Sequence, residues 1–410
     1  MNKFLYNLKK GPFKNRNFYF LALLLLVIGG CFYYLSSWRM VSSVALKKVG
    51  WWDRPYFSDN LKSELLHKAI EKNFEYLKRL SPSKIFNCGS KQYSLEDVKE
   101  SFRLFISILN ESKDEKEFNR RIYRNFDIYR SVGRGKNKKV LFTGYYEPIF
   151  EGSRERTEVY KYPIYSKPED MIEINLGDFM RNLKGKRIIG RIHQNKVVPY
   201  YERRSIDQLG SLAGNGIEIA WLADPIDAFF LHIQGSGIIK TIDGNNLNVH
   251  YAGKNGRRYR SIGRLLIEKG KIPKKAMSMQ SIRKYLESHP EEMDKILFYN
   301  ESYVFFNIVE QGPIGSIGVQ LTSGRSIASD SKIFPKGGLA FIETEFPVTD
   351  EEGRVKGWEK ISRFVVDQDT GGAIKGPGRI DIFFGTGDKA GELAGPMNRE
   401  GELYYLFKKK

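Results

Sequence analysis

Between residues 367 and 381 the chain sets three carboxylates, Asp367, Asp369 and Asp381, around Gly371, Gly372, Gly376 and Gly378. A carboxyl group can move protons near neutral pH when burial or a neighbouring charge raises its proton affinity. Asp381 has the sequence neighbours for that: Ile380, Ile382, Phe383 and Phe384 predict partial burial. Asp369 is a second carboxylate that could bias its proton, and Asp367 is assigned to the surface. Alternation at Phe364 and Val366, and again at Ile380 and Ile382, predicts a strand on each side of the glycines. Those glycines give the backbone freedom that a crossing connection needs. An Asp-Gly hairpin with a structural aspartate has the same pattern, and spacing alone does not separate the two.

Two further stretches have the composition of a binding surface. Thr143, Gly144, Tyr145 and Tyr146 run from a strand into the turn at Pro148, and Gln234, Gly235, Ser236 and Gly237 form a second glycine-rich turn. Glycines permit close backbone approach to an extended ligand, and aromatic and amide side chains are suited to sugar rings. A Tyr-Tyr pair in a strand equally places one ring in a core. Ser236 with His232 nearby invites a nucleophile reading. The flanking pattern has no strand-to-helix elbow, and His232, read on a strand, points away, so a serine hydrolase is set aside. The basic run from Lys254 to Arg260 would suit an acidic ligand group or a solvated loop.

These residues need a scaffold. At 410 residues the chain is long enough for two domains or one with an insertion. Residues 58–130 read as helices. Ser58 and Asp59 are placed to cap the first, which carries Leu61, Leu65, Ile70, Phe74 and Leu77. Ser94 and Asp97 make a capping box for the second, and a third runs through Phe118, Ile122 and Phe126. Strands are predicted over 160–165, 188–192, 197–201, 217–222, 228–233 and 238–242, then helices over 261–269 and 278–288, then a strand-rich block from about Tyr303 to Tyr405. Closely spaced short strands suggest a small barrel or sandwich.

The formal charge is +19, which favours an anionic partner. There is no zinc-finger spacing, recognition-helix signature or RNA-binding aromatic motif, so nucleic acid is set aside. Two cysteines and five histidines give no metal-ligand pattern, and neither metal nor cofactor is expected. Residues 1–17 are basic without an acid, and residues 18–30 are continuously apolar, which reads as an export signal. Cys31 follows two glycines as in a lipobox, where it would be lipidated. Phe32 to Leu35 prolong the apolar run towards a membrane-spanning length, which gives the rival reading of an uncleaved anchor. Lipidation is favoured.

Five motifs together resemble the membrane-bound lytic murein transglycosylase A family. They are TGYYEP (143–148), DPIDAFFLHIQGSG (224–237), YAGKNG (251–256) with YRSIG (259–263), LTSGRSIASD (321–330), and DTGGAIKG (369–376) continuing to Asp381. The last part also resembles a module named for three aspartates, which match Asp330, Asp369 and Asp381. The resemblance implies a mainly β fold with N-terminal helices: a double-psi β-barrel carrying an inserted smaller β-domain. The expected divisions are an anchor at 1–35, helices and a first barrel strand at 36–147, an insert at 148–305 and the rest of the barrel at 306–410.

It also implies cleavage of the β-1,4 bond between N-acetylmuramic acid and N-acetylglucosamine in peptidoglycan, with a 1,6-anhydro product. Asp381 would be the catalyst, supported by Asp369 and Asp330. Thr143, Gly144, Tyr145, Tyr146, Gln234, Gly235, Ser236 and Gly385 would line the groove. The implied partners are glycan strands, the membrane through the N-terminal anchor, and cell-wall synthesis or division proteins. The implied location is the periplasm, tethered to the outer membrane by lipid or to the inner membrane by a helix. A non-catalytic envelope scaffold and a water-using glycosidase on the same barrel are the alternatives.

Overall fold

The computed structural model describes residues 45–60 and 63–410. Six strands form its framework: β1 (Val140–Glu147), β2 (Ser326–Ala328), β3 (Leu339–Thr349), β4 (Val355–Asp369), β5 (Arg379–Thr386) and β6 (Asn398–Lys408). They pair in the order β6-β3-β4-β2-β5-β1, and β1 pairs back onto β6, which closes a barrel. Alternation does the sorting: Val140, Phe142, Ile380 and Ile382 are buried in the core, and the residues between them face the other way. Closure leaves these strands without free edges. β4 and β5 do not form a hairpin, because β2 lies between them, parallel to β4 and antiparallel to β5. The glycine-rich segment after Asp369 is therefore a connection that passes over a strand.

Three helices cover the barrel: α1 (Ser63–Arg79), α2 (Leu95–Glu111) and α3 (Glu115–Asn125). Their apolar faces meet the outer face of β4, where Phe105 lies 4.7 Å and Phe118 5.7 Å, ring to ring, from Phe364. The expected capping box at Ser94 and Asp97 is present. Phe126 begins a strand rather than ending α3. The described part of α1 starts at Ser63, later than the sequence reading placed it, and Leu61 lies outside the described residues. Asp59 is bound elsewhere: it takes two hydrogen bonds, of 2.6 and 2.9 Å, from the fully buried Arg325 and one of 2.9 Å from Phe364 N.

Between β1 and β2 the chain leaves the barrel and builds a second β-domain. Its six-stranded sheet includes Ile149–Ser153, Ser236–Thr241 and Asn246–Lys254, and a three-stranded sheet lies beside it. This is the expected mainly β architecture with an inserted domain. One expected strand is wrong: residues 228–233 lie in the helix Pro225–Gln234. Asp224 caps it, accepting from Ile226 N at 2.8 Å, Pro225 opens it, and Gly235 ends it at φ 79°. The run is apolar on every side because the helix is shared by two cores. Phe229 and Phe230 enter one and Leu231 the other, so the run shows no period and the caps carry the signal.

The Asp59–Arg325 pair ties the helical cover to the barrel. Asp59→Ala removes two charge-assisted hydrogen bonds to the buried Arg325 and the acceptor for Phe364 N, and should lower unfolding free energy by about 2–4 kcal/mol. The denaturant midpoint of the variant measures this.

Candidate active site

Strand register assembles the site. β5 runs parallel to β1 with Asp381 opposite Thr143, and β6 places Asn398 on Thr143's other side. Across β2, Ala328 pairs with Asp381 on one flank and Asp369 on the other. The second pairing depends on a bulge: Ile327 faces Asp367, Ala328 faces Asp369, and Gln368 is passed over. Gln368 instead turns to the helical cover, its Nε2 donating to Ala69 O of α1 at 2.9 Å and its Oε1 accepting from Ser326 Oγ at 2.6 Å. The two aspartates thus stand about 10 Å apart along the sheet, two strand spacings.

Asp381 is the group with altered chemistry. Its side chain is only 18% exposed. Burial pushes its carboxyl up to about 6, with Arg379 opposing the shift and Asp369 adding to it. Thr143 Oγ1 donates to Asp381 Oδ1. Arg379 Nε lies 3.8 Å from the same oxygen, and Arg379 Nη2 lies 3.5 Å from Thr143 Oγ1. One carboxylate oxygen is thereby fixed. The group can hold a proton near neutrality and, once ionised, has a cation beside it.

Asp369 is built differently. Tyr145 OH donates to its Oδ2 at 2.9 Å, and Ser316 N and Thr370 N donate to its Oδ1 at 2.8 Å each. Burial raises its proton affinity and these three hydrogen bonds oppose the rise. Both its oxygens are engaged, so its part is to hold Tyr145 and to impose a negative field on Asp381.

Asp330 does not join them. It accepts from Gly376 N at 2.9 Å and Lys332 N at 3.1 Å, pinning the glycine-rich connection. Asp367, expected at the surface, is fully buried. It accepts from Ser329 Oγ, Tyr405 OH and Lys336 Nζ at 2.6, 2.7 and 2.6 Å. The correction has a plain cause: this end of β4 is covered on both faces, Asp367 shares the register of Ile327 and Ile382 on the face that forms the barrel core, and Lys336 supplies the compensating charge.

The expected lining residues divide. Tyr145 reaches the aspartates, and Gln234 Oε1 meets Tyr146 N at 3.4 Å while its Nε2 meets Met279 Sδ at 3.1 Å, joining the insert to β1. Gly144 has no open side for a ligand: a Cβ there would lie 2.7 Å from Ala394 Cα and 2.8 Å from the Phe384 ring, so it serves packing of the helix Asp388–Ala394. Gly235 is a helix cap, and Gly385 packs near Ser323 Oγ.

Ser236 pairs across the strands with His250, while His232 lies inside the insert, accepting from Arg203 at 2.9 Å. Burial and the Arg203 charge keep His232 neutral.

The insert supplies residues that sequence reasoning missed. The charge of Asp369 reaches His250, whose proton affinity burial lowers. The charges of Arg379 and Asp381 reach Tyr259 after burial and a Ser261 hydrogen bond, and those of Lys375 and Arg187 reach the partly buried Lys254. Lys254 and Tyr259 lay in a run already marked as basic. Nothing in the sequence showed that Tyr259 would come within reach of Asp381.

A carboxyl that burial holds near 6 on a barrel strand, with an inserted β-domain close by, is suited to proton transfer. Residues 141–307 match the MltA specific insert domain and residues 325–407 the 3D domain. The chain is 36% identical over 283 residues to the membrane-bound lytic murein transglycosylase A of Escherichia coli K12, covering 68% of this chain and 69% of that one. The crystal structure of a membrane-bound lytic murein transglycosylase from Agrobacterium tumefaciens is similar at TM-score 0.71 and 30% identity, over 89% of this chain and 98% of that one. E. coli MltA with bound chitohexaose is similar at TM-score 0.68 and 28% identity, over 89% and 95%. The chain belongs to the membrane-bound lytic murein transglycosylase A family.

Asp369→Asn removes a negative charge that favours the proton on Asp381. The Asp381 titration, followed by carbon-13 NMR of its carboxyl, should move below its position near 6 by up to about one pH unit. An unchanged or higher midpoint would show that the two groups are not coupled in this way.

Proposed function

We propose that the protein cleaves peptidoglycan glycan strands at the β-1,4 bond between N-acetylmuramic acid and N-acetylglucosamine, with Asp381 as its single acid and base. The protonated carboxyl gives its proton to the glycosidic oxygen as the bond to the muramic acid C1 breaks. The C6 hydroxyl of the same sugar then attacks C1 and returns its proton to Asp381, closing the 1,6-anhydro ring. No water is consumed, and the carboxyl ends as it began.

The observation carrying this reading is the contrast between the two aspartates. Asp381 titrates near 6, while Asp369 has both oxygens committed to hydrogen bonds. A water-using glycosidase needs a second carboxylate free to act as nucleophile or as base for water. Thr143 orients the acid, and Arg379 offsets the charge left on it after the first transfer. Tyr145, Tyr146, Gln234 and Ser236 belong to the groove, and Asp330, Gly144, Gly235 and Gly385 keep its walls in place.

Mass analysis of products from purified murein tests the chemistry. The wild type should release anhydro-muropeptides, and Asp381→Asn should lose at least about three orders of magnitude of rate, the scale of an acid–base group used twice. Reducing-end products would assign hydrolysis instead. Binding to murein with no product would assign a scaffold.

The same reading places the enzyme in the cell envelope, exported and tethered by its N-terminal segment. Cys31 and residues 1–35 lie outside the described residues. Radiolabelled fatty acid should enter the wild type and not Cys31→Ser. Absence of label from a membrane-bound wild type would assign a protein anchor.

A further inference from the structure

Trp51 and Trp52 are 69% and 93% exposed, and Tyr56 close by is 51% exposed. They sit on a single 3-10 turn, Trp51–Asp53, directly after the first described strand, Leu46–Lys48. Nothing in the catalytic account uses them. Two bared indoles side by side are costly in water, where each would bury a large apolar area against any matching surface.

Cations gather around the turn. Arg54 lies 4.6 Å from the Trp51 ring and 5.2 Å from the Tyr123 ring. Lys409 Nζ reaches the carbonyls of Tyr123 and Arg124 at 2.8 Å each. The charges of Arg54 and Lys48 reach Lys409, whose proton affinity is lowered first by burial and then by them. The acids nearby are Asp53, Asp127, which is bound by Lys48 at 2.6 Å, and, towards Tyr56, Asp114 and Glu115. The apolar N-terminal run ends at Leu35, 16 residues before Trp51. That length of chain reaches at most about 55 Å when extended. Tryptophans flanked by cations, on a chain whose apolar run ends 16 residues earlier, match the headgroup layer of a bilayer, where the ring sits among glycerol groups and the cations meet phosphates.

We propose that Trp51 and Trp52, with Arg54 and Lys409, form a contact site for an anionic lipid surface, which holds the tethered enzyme body against the membrane that carries it. The inference rests on the membrane tether proposed above and extends it from the anchor to the folded part of the chain. The indoles enter the interface, and Arg54 and Lys409 lie at phosphate level.

The test uses the full chain in vesicles rich in phosphatidylglycerol, with bromine on the lipid acyl chains near the glycerol as a short-range quencher. A Trp38→Phe background removes the tryptophan of the N-terminal segment. Tryptophan fluorescence should be quenched in this background, and most of the quenching should vanish on adding Trp51→Ser and Trp52→Ser. The protein should still float with the vesicles and still cleave murein. Replacing phosphatidylglycerol with phosphatidylcholine, or Arg54→Glu, should reduce the quenching at least twofold.

Equal quenching with and without the tryptophan pair overturns the proposal, as does undiminished access of aqueous iodide to the pair. Protection that requires an added protein, and not anionic lipid, also overturns it and assigns the turn to a protein contact. In these three outcomes the tether stands if flotation persists. Release of the whole chain from the vesicles removes the tether and the contact together.

Discussion

Ala328 is one small residue in a three-residue strand, and the site depends on its backbone. It is laddered to Asp381 on one side and Asp369 on the other. That pairing fixes both carboxylates on one face and keeps them two strands apart. Because β2 fills the space between β4 and β5, the chain must leave Asp369, pass over β2 and return at Arg379. The glycines of that connection, held by Asp330 through Gly376 N, are what the crossing requires. Loss of the bulge at Gln368 would turn Asp369 to the opposite face and bring an amide into its place.

The barrel therefore supplies two aspartates of different character. Asp369 ends its strand where backbone N–H groups and Tyr145 point at it. Asp381 lies in mid-strand, where neighbouring N–H groups are spent on the ladder and its side chain has only Thr143 and Arg379. Burial with few donors raises proton affinity, and burial with several donors compensates the ionised form. Holding Asp381 up to about 6 has a stability cost. Below the unfolded value near 4 the group is protonated in both states and costs nothing. As pH rises from about 4 to about 6 the unfolded state ionises ahead of the folded one, so stability is lost across that range and the loss is complete once pH has passed through about 6. That loss belongs to the function, and ties such as Asp59 to Arg325 and Asp367 to Lys336 hold the scaffold against it.

The insert completes the site from outside. Its strand Asn246–Lys254 and the turn after it bring His250 within reach of the Asp369 charge and Tyr259 within reach of that of Asp381. Gln234, at the end of the helix Pro225–Gln234, bonds β1 at Tyr146 and so couples the insert's position to the strand carrying Thr143. Barrel and insert thus share a strand whose successive residues, Thr143, Tyr145 and Tyr146, touch Asp381, Asp369 and the insert in turn.

The sequence by itself determined the local matters: strands around the glycine-rich stretch, the capping box at Ser94, Asp381 among apolar residues, and, through five motifs, the family and its barrel with an insert. These are legible because alternation, caps and motif spacing are properties of neighbouring residues. Tertiary structure alone decided the rest. It buried Asp367 because that end of β4 is covered on both faces, and it gave Asp59 to Arg325. It folded residues 228–233 as a helix shared by two cores, and it made Gly144 a packing contact instead of a ligand wall. It also brought His250 and Tyr259 within reach of carboxylates more than a hundred residues away in the chain. Each of these depends on which surfaces meet after the barrel closes, and burial, charge and hydrogen-bond supply at a residue are set by neighbours in space that the linear order does not specify.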